Sequence, residues 1–372
     1  MHLGRALWLL LAFNMPQGEA APVPETRWIH PECNVLPFAR DSFIVELSNG
    51  CLLTVVDGAT IISEDDGQTW SAPRPILDEE VPGRPTTGPL IRTRDGVLIL
   101  IYSDMETYQW NWDNATVSPN GPCVLDIWSI RSLDEGHTWV DRQRILDGYC
   151  GCINDIIQTK SGHIVVPVQD MLLDPVRHVQ YTYVSADDGK TWRRGNMIDL
   201  GGRGHHDGAL EGSVAELSDG RVLMMLRTNL GRLWEAYSED HGQHWRTLRP
   251  SRLDASSAPA AVQRLASGRL ALVWNRLYPE GQTSFGYGYG LPFSEEWVSW
   301  HREELSIALS TDDGATWGAP TVIARQKGAS IHYPKVFERR PGELWIIAGV
   351  TGHGNPGPPV CLSLREEDFI VD

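Results

Sequence analysis

Ser310-Thr311-Asp312-Asp313-Gly314-Ala315-Thr316-Trp317 reads S-x-D-x-G-x-T-W, and the chain contains this octapeptide repeatedly. It recurs as Ser63 to Trp70 (SEDDGQTW), Ser132 to Trp139 (SLDEGHTW) and Ser185 to Trp192 (SADDGKTW). A variant copy runs from Ser238 to Trp245 (SEDHGQHW), with His244 in the Thr slot. One short pattern returning along a chain marks an array of similar supersecondary units.

The octapeptide is turn chemistry. Its Asp carboxylate can accept backbone N–H bonds, and its Gly supplies a positive φ. The Trp that follows is a large apolar anchor whose indole N–H can still find a partner. The Asp-rich loop lacks the spacing and terminal Glu of an EF-hand, so it specifies a fold and no calcium site.

A second pattern is more complete. A polar turn ending in Gly precedes an apolar strand at Gly50, Gly96, Gly162, Gly220, Gly268 and Gly342. Each turn also follows an extended segment, such as Phe43-Ile44-Val45-Glu46-Leu47. That is the signature of a β-hairpin. A third strand leads into the octapeptide and a fourth leaves it, as in Thr321-Val322-Ile323. Four antiparallel strands repeated six times describe an all-β, six-bladed propeller. The longer Gly-to-Gly intervals hold insertions: Leu277 to Trp297, and Met105 to Pro122 with Tyr108, Trp110 and Trp112.

The chain has 372 residues, 41% hydrophobic and 22% charged, a globular composition with ample core material. A formal net charge of −16 argues against nucleic acid as a partner. Residues 1–20 read as a signal peptide, with His2 and Arg5 before the apolar run Ala6 to Phe13 and Ala20 at the end. That run is too short to span a membrane, and no other stretch is a transmembrane candidate. The expected product is a single propeller domain over residues 21–372, secreted to an extracellular or periplasmic space. Six cysteines (Cys33, Cys51, Cys123, Cys150, Cys152, Cys361) are an even number, compatible with an oxidising compartment. Cys150-Gly151-Cys152 is half a metal motif without a matching cluster, so neither metal nor cofactor is expected. Asn114-Ala115-Thr116 is a glycosylation sequon in a eukaryotic secretory route.

In each hairpin the start of the first strand and the end of the second lie together, far from the Gly turn. That end is one rim of the propeller. Arg40 lies ten positions before Gly50, Glu211 nine before Gly220, and Tyr333 nine before Gly342. Asp57 and Arg227 lie seven after Gly50 and Gly220, with Gln169 and Asn275 in the same phase after Gly162 and Gly268. Arg302 starts a third strand, eight before Ser310. One rim thus collects Arg40, Arg227, Arg302, Glu211, Asp57 and Tyr333.

At these residues the chain resembles the sialidases (neuraminidases), six-bladed propellers that carry the same octapeptide, the Asp box. Glu211-Gly212-Ser213 through Leu226-Arg227 is similar to the family segment with a Glu and the second of three arginines. His301-Arg302-Glu303-Glu304-Leu305 looks like the segment with the third, and His332-Tyr333-Pro334 sits where the family places its Tyr. For the first arginine the family has Phe/Tyr-Arg-Ile-Pro, whereas this chain has Phe38-Ala39-Arg40-Asp41-Ser42. The resemblance implies an exo-α-sialidase: Arg40, Arg227 and Arg302 holding the sugar carboxylate, Tyr333 with Glu211 as nucleophile, and an Asp as acid/base. Phasing gives Asp57 for the last role, with Asp104 and Asp155 as rivals.

The chemistry suits these residue types. A guanidinium is a planar, permanently charged fork that binds a carboxylate bidentately. A neutral Tyr can approach an anionic sugar without like-charge repulsion, but its pKa near 10 requires a neighbouring base. A Tyr nucleophile is a recognised exception to the two-carboxylate scheme of glycosidases. Two other readings stay open at this point: a hydrolase or lyase of the same fold acting on another acidic sugar, and a non-catalytic glycan-binding propeller.

Overall fold

The computed structural model describes residues 26–283, 298–352 and 355–371. The expected leader over residues 1–20 lies outside the described residues, as does most of the insertion at 277–297. The rest is the expected propeller of six antiparallel sheets. Inner to outer, blade 1 is Ile44–Glu46, Leu52–Val56, Ala59–Ser63 and Arg74–Pro75. Blade 2 is Leu90–Arg92, Leu98–Ser103, Ile127–Ser132 and Val140–Leu146. Blade 3 is Ile157–Gln158, Ile164–Leu173, Val176–Ser185 and Arg193–Arg194. Blade 4 is Gly212–Glu216, Val222–Leu226, Arg232–Ser238 and Trp245–Asp254.

Blades 5 and 6 explain why five octapeptides serve six blades. Blade 5 is Ala261–Arg264, Leu270–Trp274, Glu304–Ser310 and Thr321–Arg325, and the early strand Trp28–Ile29 adds a fifth position beside Thr321–Arg325. Blade 6 takes its first three strands, Ala329–Arg340, Glu343–Gly352 and Asn355–Arg365, from the end of the chain. Its fourth is Asn34–Val35, paired with Leu362 and Ser363. Among the described residues that fourth strand does not follow the third in sequence, so no octapeptide turn joins them, and an early strand closes the ring against the last blade.

The octapeptide turns are nearly identical. Ser63 Oγ donates to Asp65 Oδ1 (2.8 Å) and accepts the Gly67 N–H (2.8 Å), while Asp65 accepts the N–H and hydroxyl of Thr69 at 2.8 and 2.7 Å. In the variant copy the His244 ring takes the hydroxyl's place, 2.6 Å from Asp240 Oδ2. Gly67 is obligatory for two reasons: its φ is +85°, and a Cβ there would lie 2.5 Å from the Phe38 ring.

The core is a set of seams between blades. Val273, Ile307 and Ile323 of blade 5 pack with Ile331, Ile346 and Leu362 of blade 6. Phe38, Leu52, Trp345 and Ile347 join blades 6 and 1. Each fully buried aliphatic side chain in such a seam contributes about 1.5–3 kcal/mol, so the ring is held by its neighbours' contacts all the way round. All six cysteines are free thiols. Among the described residues no helix is long and apolar enough to cross a membrane.

Candidate active site

Repeat phasing brings four side chains together at the rim opposite the octapeptide turns. Glu211 directly precedes the inner strand of blade 4, and Arg227 directly follows the strand paired with it. Backbone bonds between Arg227 and both Leu210 and Glu211 (3.1 and 3.3 Å) extend that pairing to the rim. Arg227 Nη1 donates to both Glu211 carboxylate oxygens at 3.1 and 2.9 Å, in a pair only 2% and 5% exposed. Arg227 Nε donates to Ser257 Oγ (3.1 Å), and its buried Nη2 has no hydrogen-bond partner among the described residues. A guanidinium of this kind has donor capacity left over for an anion.

Tyr333 enters from blade 6. The inner strand pairs His332 with Gly349 and Lys335 with Ile347, so Tyr333 and Pro334 together oppose Ala348 alone. That two-against-one count is a β-bulge, which re-aims a side chain. Tyr333 stands there at φ +52°, and its hydroxyl donates to Glu211 Oε1 at 3.1 Å. Arg302 lies beside the same strand, its carbonyl accepting the Ile331 N–H (2.7 Å). Its Nη2 donates to the Ser257 carbonyl (2.6 Å). Trp300 floors the two cations, 5.5 Å from the Arg227 guanidinium carbon and 4.8 Å from that of Arg302.

The electrostatics separate the roles of the pair. Burial, then the charge of Glu211 and the neighbouring Cys152, pushes the Tyr333 phenol far above its ordinary value, against the pull of Arg227 and Arg302. Burial alone would raise Glu211, but Arg227, its backbone hydrogen bond, Arg302 and His178 outweigh it, and the carboxyl titrates below its usual range. A neutral phenol therefore faces an ionised carboxylate.

The remaining candidates lie apart from that group. Arg40 turns away from the rim, its guanidinium carbon 5.5 Å from the centre of the Trp70 ring. The next residue, Asp41, faces the site instead, with Oδ1 2.5 Å from Lys335 Nζ. Asp57 is exposed on the two-residue turn Asp57-Gly58 of blade 1, both at positive φ, and no hydrogen bond ties it to Tyr333 or Glu211 among the described residues. Asp104 is buried in an ion pair with Arg142 (2.7 Å) and accepts the Arg84 N–H. Asp155 accepts Ser213 Oγ and the Val214 N–H, both at 2.7 Å, one step down the blade from Glu211. Burial drives it up to about 6 despite those bonds.

Several neighbours carry no repeat-phase signal. His206, neutral because burial and then the charges around it hold it well below its ordinary value, lies edge-on to Trp300 at 5.2 Å. The inserted hairpin of blade 2, Gln109–Asp113 with Ser118–Val124, stacks Trp110 on Trp112 (5.4 Å). Those rings rest against His205 at 5.5 and 4.8 Å, and Trp110 against Tyr149 at 5.0 Å. An aromatic wall thus leads from the insertion toward the rim.

Comparison with known proteins agrees with this architecture. Residues 57–346 match the BNR repeat-like domain, and the chain belongs to that family. A sialidase of Clostridium perfringens is 26% identical over 217 residues, 52% of this chain and 53% of that one. The chain thus spans about half the length of the curated relatives it matches. Among solved structures, a protein of unknown function from Dyadobacter fermentans superposes with a TM-score of 0.62 at 16% identity, over 90% of this chain and 100% of that one. The NanB sialidase of Streptococcus pneumoniae gives 0.60 at 14% identity, over 90% and 69%. At such identities these two structures speak for the fold.

Proposed function

We propose that this chain is a sialidase-type glycoside hydrolase that releases a terminal sialic acid through a covalent intermediate on Tyr333. One observation carries the reading: the Tyr333 hydroxyl bonded to Glu211, with Arg227 and Arg302 beside them. The relatives named sialidases support the substrate class.

In this reading the two guanidinium groups bind the sugar carboxylate and place the anomeric carbon over Tyr333 Oη. As the phenol oxygen forms a bond to that carbon, its proton passes to Glu211 and the glycosidic C–O bond breaks. Asp57, at the same rim, is the carboxylate proposed to protonate the leaving oxygen. Water then attacks the anomeric carbon, loses a proton to the same carboxylate, and Tyr333 departs, regaining its proton from Glu211. A neutral nucleophile adds no charge of its own against an anionic substrate.

A second reading, hydrolysis of another acidic sugar, is favoured by the position of Arg40, which leaves two arginines at the site where three were expected. Initial rates on a fluorogenic sialoside beside a fluorogenic uronide separate the two. Tyr333→Phe keeps the ring and removes the nucleophile. Turnover should fall by several orders of magnitude while free sialic acid still binds, and a mechanism-based fluorosugar should leave its mass on the Tyr333 peptide. A Phe variant near the wild-type rate, or a label elsewhere, ends the assignment.

A further inference from the structure

Tyr333 stands in a conformation that its own sequence disfavours. It is a bulky residue at φ +52°, directly before Pro334. Left-handed backbone is uncommon for such residues, and a following proline pushes its predecessor toward extended geometry. Surrounding structure has to impose such a conformation. The bulge also takes Tyr333 out of the ladder, since the pairing resumes only at Lys335.

Two charged side chains that the hydrolytic steps do not use meet at this bulge. Lys335 Nζ reaches back to the Tyr333 carbonyl at 3.2 Å and to Asp41 Oδ1 at 2.5 Å. Both side chains are largely buried, at 12% and 14% exposure. The other Asp41 oxygen packs against the strand paired with the bulge: a Cβ on Gly349 would lie 2.7 Å from Oδ2 and 2.6 Å from His332 Cε1. Asp41 stands nine positions before Gly50, the phase of Glu211 and Tyr333. The ion pair therefore ties the start of blade 1 to the bulge of blade 6, as the phenol ties blade 6 to blade 4.

We propose that Lys335, anchored by Asp41, is a positioning residue for the nucleophile: its ammonium holds the left-handed bulge that aims the Tyr333 hydroxyl at Glu211. An ammonium has three donors and no acceptor, so one group can engage the carboxylate and the carbonyl at once. This inference rests on Tyr333 being the nucleophile. The rival role for Lys335 is a third cation that binds the substrate carboxylate directly.

The test compares Lys335→Met, Lys335→Arg and Asp41→Asn with wild type and Tyr333→Phe. The readouts are kcat and KM on an aryl sialoside, affinity for free sialic acid, and melting temperature. Misplacing a reacting group by an ångström costs about 100-fold, so Lys335→Met should lose about that factor in kcat. Its sialic acid affinity should stay within about threefold of wild type, well short of the tenfold or more expected for loss of a direct charged contact. Lys335→Arg, which can still span both acceptors, should recover most of the rate, and Asp41→Asn should fall between. A crystal structure of Lys335→Met should show the phenol out of hydrogen-bonding range of Glu211, a readout that needs no turnover. If Lys335→Met fails to fold, Asp41→Asn carries the same kcat test with the ammonium still present. Three results overturn the inference: an unchanged kcat, rate and affinity lost together, or a fall in stability that arginine does not rescue. Turnover lost in Tyr333→Phe but kept in Lys335→Met sinks this inference alone, whereas an active Tyr333→Phe sinks the nucleophile reading.

Discussion

Replacing Glu211 with Gln keeps the side chain's shape and removes its charge, which should move stability, ligand affinity and turnover in different directions. Glu211 is the counter-ion of Arg227, in a pair with both partners at or below 5% exposure. Charge centres about 4 Å apart attract by about 4 kcal/mol at an effective dielectric of 20. Removing one partner of a buried pair destabilises by about 3–5 kcal/mol, because the survivor is left uncompensated. Glu211→Gln should therefore melt at a lower temperature with no ligand present. A bound carboxylate supplies the missing countercharge and no longer meets the repulsion of Glu211. Free sialic acid should then bind the variant at least about tenfold more tightly, about 1.4 kcal/mol, and raise its melting temperature more than that of wild type. Turnover should fall by about 10²–10⁴, the usual contribution of a general base. Titration calorimetry, thermal unfolding with and without sialic acid, and initial rates on an aryl sialoside read the three quantities. Weaker binding by the variant, or a rate within tenfold of wild type, would refute the reasoning.

The two arginines that part company in the structure should do so in solution. Arg302→Ala should weaken sialic acid binding by at least about tenfold, whereas Arg40→Ala, which loses a contact with Trp70, should leave that affinity unchanged; equal losses would return Arg40 to the site. The site should also make the fold acid-sensitive. Burial, with neighbouring charge, holds His205 and His332 down at about 3 and about 4, so below the unfolded value near 6.5 the denatured chain takes up protons that the native one refuses. Stability should fall as pH drops through that window, by up to about 1.4 kcal/mol per unit for each group. Asp155, raised to about 6, opposes the trend, because the native state holds its proton more firmly than the unfolded chain. Melting curves between pH 7 and 4.5 should be flatter for His332→Gln than for wild type, and parallel curves would discard the assignment.

The fold was legible because its punctuation is repeated. Ser, Asp and Gly of each octapeptide make the same bonds, with Thr or, once, His244 closing the turn, and six Gly turns set the phase. The candidate site was legible where that phase continues into regular pairing: Glu211 and Arg227 extend one ladder, and Arg302 lies two residues before the strand Glu304–Ser310. At Arg40 the phase is less informative, and its guanidinium lies over Trp70. Residues 40 and 41 precede the first strand of blade 1, which begins at Ile44, so no strand pleat fixes which of the two faces the site. Asp57 follows the phase to the same rim, on a two-residue turn that leaves its carboxylate exposed at the tip. Trp300 and His206 lie in connections that carry no period at all. Lys335 carries no phase signal, because the bulge at Tyr333 shifts the register of its strand.

Ring closure by the chain's two ends has a consequence for synthesis. A ribosome finishes Glu211, Arg227 and Arg302 before it reaches Tyr333, and blade 6 then needs Asn34–Val35, made long before, as its outer strand. Until both arrive, Glu211 lacks the Tyr333 phenol and keeps its pairing with Arg227. Under the proposed function, hydrolytic competence would wait on this last blade. A chain interrupted before its last blade would carry Glu211, Arg227 and Arg302 without the phenol that meets Glu211 in the closed ring.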